Sequence, residues 1–383
     1  MRGQEGVQQL PHSEPGAQAK EPEKKPKEKE VDYSIDGHKL IYHPYRVGRW
    51  LAHENVYPIY MEVGPAARCN QNCIYCAFDY LGHSGPLLHT KTLQCALANA
   101  AAHGLRSVML AGEGEPLAHP AIAEIAGHAR GVGLDVAVTT NGVLLTQSLG
   151  EALLPHLSWI RFSLDACSPD TYQLIHRCPR EHYITVLKHI GQTIWLKKTK
   201  GLPVTIGLQA LLLPENRDEI CDLAQMASGL ELVEYLVIKP FSRHPLMLSK
   251  RDITYQDMLA LGEELEHFNR EGFRVIFRER AMKKQGQPRQ YEQCLGLPFF
   301  TYIAATGDVY ACSAFLGNQN LVYGNIYDQS FRAIWEGKRR QEVLRRVSEL
   351  NIENCREMCR LDEINSYLWK LTHRELVPHV NFI

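Results

Sequence analysis

Cys69-Asn70-Gln71-Asn72-Cys73-Ile74-Tyr75-Cys76 sets three thiols at spacings of four and three residues. On a helix that spacing would make one stripe, and a free cysteine is a common core residue. The run Asn70-Gln71-Asn72 is weak in helix propensity, however, and the segment follows Gly64-Pro65, so a loop is expected. Thiolates bind iron–sulfur clusters, and a cubane with four irons has four corners. Three ligands in one loop hold three irons and leave the fourth open to a small molecule. A closed zinc knuckle wants four ligands, commonly as two Cys-x-x-Cys pairs, and no fourth lies nearby.

Outward from this loop the chain alternates short apolar runs with longer amphipathic stretches, the mark of βα repeats. Strands are expected at Ile59–Val63, Ser107–Leu110, Asp135–Thr139, Trp159–Leu164, Val204–Leu211 and Val233–Lys239, with a further one at Phe273–Phe277. Helices are expected at Lys91–His103, Pro120–Val132, Thr146–Leu154, Glu181–Lys198, Arg217–Ser228 and Thr254–Arg270. The pattern predicts an α/β fold, a partial parallel (β/α)6 barrel of the TIM type, whose ligands sit at the C-terminal strand ends. The cysteine loop follows the first strand. Ala111-Gly112-Glu113-Gly114-Glu115-Pro116 follows the second, Thr139-Thr140-Asn141-Gly142 ends the third and Ser163-Leu164-Asp165-Ala166 the fourth. Gln209 is polar inside an apolar strand, and Lys239-Pro240-Phe241-Ser242-Arg243-His244-Pro245 offers cations and an aromatic suited to a polar or anionic substrate.

Cys-x3-Cys-x2-Cys with an aromatic before the last cysteine resembles the signature of the radical S-adenosylmethionine (radical SAM) enzymes. The resemblance implies a 4Fe-4S cluster with an open iron site, held by Cys69, Cys73 and Cys76. In that family the open iron chelates the methionine part of SAM. One electron, from a donor such as flavodoxin or ferredoxin, then yields a 5′-deoxyadenosyl radical that abstracts a substrate hydrogen. Tyr75 stands where the family packs a residue near the adenine. Gly112, Gly114, Glu115 and Pro116 resemble the family's motif for the SAM amino group, and glycine lets backbone approach a ligand closely. Asn141, Ser163, Asp165 and Gln209 are expected contacts of SAM or substrate, although Asp165 could instead cap a helix and Gln209 could face outward. Cys178 and Cys167 are expected hydrogen donors if the reaction is an epimerisation, and otherwise ordinary buried thiols.

A second set of thiols follows Gln290: Cys294, Cys312, Cys355 and Cys359. Gly307-Asp308 reads as a hairpin turn that presents Cys312 on the returning strand. Cys355 and Cys359, if helical, share one face. Four thiolates suffice to ligate a cluster completely, and a structural zinc could take the same four. Cys-x12-Gly-x4-Cys with a later close pair resembles the auxiliary-cluster extension of radical SAM enzymes, the SPASM domain or its shorter twitch form. Four cysteines rather than seven imply the twitch form, with a second (auxiliary) 4Fe-4S cluster. The last pair is Cys-x3-Cys where Cys-x2-Cys is commoner.

The whole chain has 383 residues and a formal net charge of −1, without the basic excess that general nucleic-acid binding wants. It has no apolar run of the roughly 18–20 residues a membrane span needs and no apolar signal core. Eleven cysteines without a secretory signal read as thiols and ligands in a reducing cytoplasm. The organisation expected is a disordered polar tail at 1–31, an ordered lead-in at 32–57, a barrel at 58–285, and an auxiliary-cluster domain with a C-terminal helix at 286–383. The function implied is dehydrogenation or epimerisation of a small polar molecule such as a sugar, aminocyclitol or nucleoside. A peptide or protein side-chain maturase and a non-enzymatic iron–sulfur redox sensor are the alternatives.

Overall fold

In the computed structural model, which describes residues 38–376 and 378–382, helix α1 (Pro44–Leu51) leads into strand β1 (Tyr60–Val63). The expected tail and the first residues of the lead-in lie outside the described residues. Two short antiparallel strands, β2 (Ala66–Arg68) and β3 (Ser84–Leu87), frame the cysteine loop. Repeats follow: α2 (Thr90–Ala102) and β4 (Ser107–Leu110), α3 (Ile122–Gly131) and β5 (Asp135–Thr140), α4 (Gln147–Leu153) and β6 (Trp159–Ser163). Two helices, α5 (Pro169–His176) and α6 (Glu181–Lys200), precede β7 (Thr205–Leu212). Then come α7 (Ile220–Gly229) and β8 (Tyr235–Pro240), and α8 (Leu261–Glu266) and β9 (Arg274–Phe277). After α9 (Glu279–Lys283), β10 (Phe300–Ile303), β11 (Asp308–Tyr310) and β12 (Val322–Asn325) precede helices α10 (Phe331–Glu336), α11 (Lys338–Ser348) and α12 (Asp362–Thr372).

The six expected strands form consecutively, and β9 joins them in parallel. The sheet is larger than the six-strand expectation because β10 pairs in parallel with the free edge of β1, Tyr60 opposite Phe300 and Val63 opposite Ile303. β11 and β12 then extend it antiparallel, giving ten strands in the order β12-β11-β10-β1-β4-β5-β6-β7-β8-β9. The hairpin turn forms at Gly307, whose φ of +84° favours glycine.

Side chains alternate across each strand. Val108, Leu110, Val136, Val138, Ile160 and Phe162 are sealed against the helix layer. The opposite face is polar: Tyr60, Glu62, Arg161, Gln209 and Lys239 point into the barrel. The long helix expected at Thr254–Arg270 is broken into a 3-10 turn at Gln256–Met258 and the short α8. There Arg270 bridges to Phe273 and the Asn269 side chain accepts from the Val275 N–H, turning the chain into β9.

The lead-in is packed into the C-terminal region: Leu40, Val47, Val56 and Ile59 form a core with Phe299 and Leu368. Trp335 donates from Nε1 to the Val56 carbonyl at 2.9 Å, and the Arg340 guanidinium covers its ring at 3.8 Å. Among the described residues no helix is long and apolar enough to cross a membrane.

Candidate functional site

The cysteine loop lies at the C-terminal ends of the strands, where the barrel pattern placed it. It is irregular, as its composition required, and is held by its neighbours' backbone. Asn72 N–H donates to the His176 carbonyl (3.1 Å) and Ile74 N–H to that of Ile175 (2.9 Å), docking the loop on the end of α5. Cys69 N–H donates to the His83 carbonyl at 3.3 Å, closing the loop's base.

The three thiols are gathered. Burial, then the charges of Cys69, Asp165 and Cys76, push the Cys73 thiol well above its usual range. Cys69 is pushed up to about 12 by burial and the Glu115 carboxylate, and Cys76 is raised by burial. Cys73 Sγ lies 3.2 Å from His176 Nδ1. Iron uptake at such a site must displace protons from thiols that are otherwise held neutral. These donors fit a cluster held by three cysteines.

Tyr75 donates to Asp165 Oδ2 at 2.6 Å, and Asp165 Oδ1 accepts from the Leu211 N–H at 2.5 Å. Asp165 is 1% exposed, with His176 Nε2 3.3 Å from its Oδ2, so it braces the loop against β7 rather than capping a helix. Glu115 also turns into the protein: it accepts from Thr140 Oγ1 (2.6 Å), Asn141 N–H (2.8 Å) and Leu117 N–H (3.0 Å). Its carboxylate ties the end of β4 to the end of β5. Asn141 reaches the cysteine loop, donating from Nδ2 to Asn70 Oδ1 at 2.7 Å.

The glycine loop leaves no room for side chains. A Cβ on Gly114 would meet the Ala66 carbonyl at 2.4 Å and the Arg68 carbonyl at 2.5 Å. Gly112 takes φ +121° beside the Tyr302 hydroxyl, and Pro116 starts a 3-10 turn. Ser163 is half-buried at the end of β6, in register with Gln209. Gln209 faces the interior, where Lys239 Nζ donates to its Oε1 at 2.5 Å.

Cys178 and Cys167 are not brought to the barrel interior. Cys178 is buried behind the loop, its thiol pushed up to about 11 by burial and approached by Gln71 Nε2 at 3.8 Å. Cys167 lies in the helix layer, where its N–H donates to Glu219 Oε2 at 2.8 Å and its carbonyl accepts from the Tyr183 hydroxyl at 2.7 Å.

Cys294, Cys312, Cys355 and Cys359 converge on one cavity of about 290 Å³, closed by apolar residues such as Leu297, Val347 and Leu361. Burial and the neighbouring thiolates push Cys294 up to about 12 and raise Cys312 further. Asn365 Nδ2 approaches Cys294 Sγ at 3.6 Å, and Leu361 N–H donates to Cys359 Sγ at 3.4 Å. Cys355 and Cys359 do not share a helix. Met358 between them takes a left-handed φ of 48°, and α12 starts only at Asp362. That turn aims both thiols at the cavity. Four thiolates at one cavity suit a cubane, which takes one on each iron, and equally a single zinc, which takes all four. All eleven cysteines are free thiols.

A larger cavity of about 790 Å³ opens inside the barrel, between the strands and the segment carrying Cys359. Its walls include Met109, Arg161, Lys239 and Arg278 from the barrel, and Met358, Cys359 and Arg360 from the C-terminal region. Cys359 therefore borders both cavities. None of the basic residues here stood out in the sequence except Lys239; their spacing along the chain gave no signal.

The model of the radical SAM superfamily matches residues 63–227, and that of the SPASM iron–sulfur cluster-binding domain matches residues 294–360. The chain is 30% identical over 226 residues to the GTP 3′,8-cyclase of Chlorobaculum tepidum, covering 55% of this chain and 66% of that protein, just under two thirds of its length. It is 26% identical over 304 residues to the AdoMet-dependent heme synthase of Methanosarcina barkeri, covering 74% of this chain and 82% of that one. Among solved structures, Streptococcus suis SuiB bound to its precursor peptide SuiA superposes with a TM-score of 0.62 at 14% identity, over 91% of this chain and 81% of that one.

Proposed function

The chain is a radical SAM enzyme with a C-terminal SPASM iron–sulfur cluster-binding domain, and on that premise we propose that it dehydrogenates a small polar molecule held in the barrel cavity. The bound 4Fe-4S cluster and SAM supply one chemistry: reductive cleavage of the sulfonium to methionine and a 5′-deoxyadenosyl radical that takes a hydrogen atom from substrate. Cys69, Cys73 and Cys76 would hold that cluster, and an external reductant such as flavodoxin or ferredoxin would feed it. The glycine loop, Asn141 and Ser163 line the strand ends where SAM is expected. Tyr75 and Asp165 hold the loop in place.

The observation that carries the reading is Cys359, which borders the substrate cavity and the four-thiol cavity together. Cys294, Cys312, Cys355 and Cys359 would hold a second 4Fe-4S cluster, which supplies an electron sink beside the substrate. Loss of a hydrogen atom, a proton and an electron converts a carbinol to a carbonyl, and the electron needs such a sink. Epimerisation needs instead a hydrogen donor in the cavity, and neither Cys178 nor Cys167 lines it. A volume of about 790 Å³ is within the range of small-molecule sites. The named relatives are a GTP 3′,8-cyclase and a heme synthase, and SuiB is bound to a precursor peptide, so substrate size is argued from the cavity.

The test is anaerobic reconstitution of the full chain with iron and sulfide, then reductant and SAM, following 5′-deoxyadenosine. Its formation without added substrate, rising when substrate is supplied, is expected. A fully iron-loaded protein that makes none under any reductant overturns the reading. A product that incorporates solvent hydrogen at inverted carbon, with no net oxidation, replaces dehydrogenation by epimerisation.

A further inference from the structure

Two of the cations that line the barrel cavity, Arg161 and Lys239, have neutral partners. Arg161 Nη2 donates to Thr139 Oγ1 at 3.3 Å, its guanidinium lies 5.0 Å from the Trp159 ring, and its Nε is buried without a hydrogen-bond partner. Lys239 donates to Gln209, a neutral amide. Burial and the guanidiniums of Arg161, Arg278 and Arg356 push the Lys239 ammonium well below its usual range. Among the described residues no carboxylate pairs with Arg161 or Lys239, although Glu353, Glu357, Asp362 and Glu363 line the same cavity. Glu62 pairs with Arg360 at the barrel floor, and Asp362 and Glu363 are both bonded by Lys284, at 2.6 and 2.5 Å. Glu353 and Glu357 stand on the wall made by the C-terminal segment.

Withdrawing like charges from water without a counter-charge is costly, and an anion entering between them relieves both desolvation and repulsion. We propose that Arg161 and Lys239 form an oxyanion-binding site, so that the substrate carries a carboxylate or phosphate group and is anchored by it inside the barrel. Lys239 stands at the strand end nearer the expected SAM edge, and Arg161, in register with Gly207, stands four residues deeper along the strands. Lys239 is in register with Leu211, whose N–H donates to Asp165, and Asp165 holds Tyr75 of the cysteine loop. An anchor at that level places the rest of a small molecule between the strand ends and the wall bearing Cys359. The planar guanidinium suits two-point contact with an oxyanion, and the ammonium adds a compact charge.

This inference rests on the dehydrogenase reading for the role of the cavity, but its test needs no turnover. The anaerobically reconstituted full chain, saturated with SAM so that the methionine carboxylate is already satisfied, is titrated calorimetrically. One arm uses inorganic phosphate and the other tricarballylate. At least one probe is expected to bind, at least tenfold more weakly in Arg161→Gln and Lys239→Gln, with Lys239→Arg retaining affinity. Binding of phosphate alone assigns a phosphorylated substrate, and binding of tricarballylate alone assigns a carboxylic acid. Failure of both probes, or equal binding by the Gln variants, overturns the site. Should the Gln variants fail to take up iron, the wild-type salt dependence decides: affinity that does not fall as salt rises overturns it. Deoxyadenosine formation in the same preparations reports separately on the dehydrogenase reading.

Discussion

The Tyr302 hydroxyl donates to the Glu113 carboxylate, fastening strand β10 to the glycine loop that follows β4. The other carboxylate oxygen accepts from the Ala305 N–H at 2.7 Å. The hairpin that delivers Cys312 is thereby tied to the loop expected to receive SAM. Burial raises the Glu113 pKa, and these two bonds oppose the rise. Tyr302→Phe removes one donor from a buried carboxylate and is expected to cost about 1–3 kcal/mol. A carboxyl whose folded pKa lies above its unfolded value contributes stability at low pH that is lost as pH rises through the folded value. The variant raises that pKa further, so its deficit should be larger at neutral pH than at acid pH. Calorimetric unfolding of the two proteins across that range checks both the size and the sign.

Gly114→Ala should damage the first site without touching a ligand. Its Cβ would meet backbone on both sides, including the carbonyl of Arg68, the residue before Cys69. Backbone cannot swing away as a side chain can, so the strand leading into Cys69 must shift. SAM affinity of the reconstituted protein is expected to fall at least tenfold, measured by equilibrium dialysis. Unchanged affinity would place SAM away from this loop.

The two sets of thiols should load independently. Cys312→Ala removes one of four donors around the auxiliary cavity and leaves Cys69, Cys73 and Cys76 intact. Iron per chain is expected to fall from about eight to about four atoms, with deoxyadenosine formation retained and oxidised product lost. Chemical iron and sulfide analysis reads the first, and chromatography of the products reads the second.

His244 makes acid a specific threat to the contact between the β8 loop and the cysteine loop. Its Nδ1 accepts from the Leu246 N–H at 3.1 Å, its ring stacks on Tyr80 at 5.2 Å, and it is 1% exposed. Burial and Arg356 lower its pKa to about 4. The folded value lies below the unfolded one near 6.5, so the neutral ring's contribution is fully present above about pH 6.5 and is lost as pH falls towards 4. A loss on the order of 2 kcal/mol is expected over that window. His244→Phe should flatten it in urea unfolding of the cluster-free chain, and an unchanged slope would remove the assignment.

Some of this was open to reading along the chain. Three thiols separated by polar residues after Gly64-Pro65 announced a ligand loop, and alternating apolar runs announced the strands beside it. Local turn chemistry also located the Gly307 hairpin. The long helix over Thr254–Arg270 was misread because Asn269 and Arg270 serve β9, a contact invisible to periodicity. Glu115 and Asp165 were expected as ligand contacts, yet both spend their oxygens on backbone and hydroxyl donors. A buried carboxylate and a binding carboxylate look alike in one dimension.

The sequence by itself determined the two ligand sets and the βα repeat, because both depend on residues within a few turns of one another. Only the tertiary structure decided that β10 would close on β1, that Tyr302 would reach Glu113, and that Arg161 and Lys239 would line one cavity. Those contacts join residues tens to hundreds of positions apart, and their energies come from burial and sheet pairing that exist once the barrel has formed.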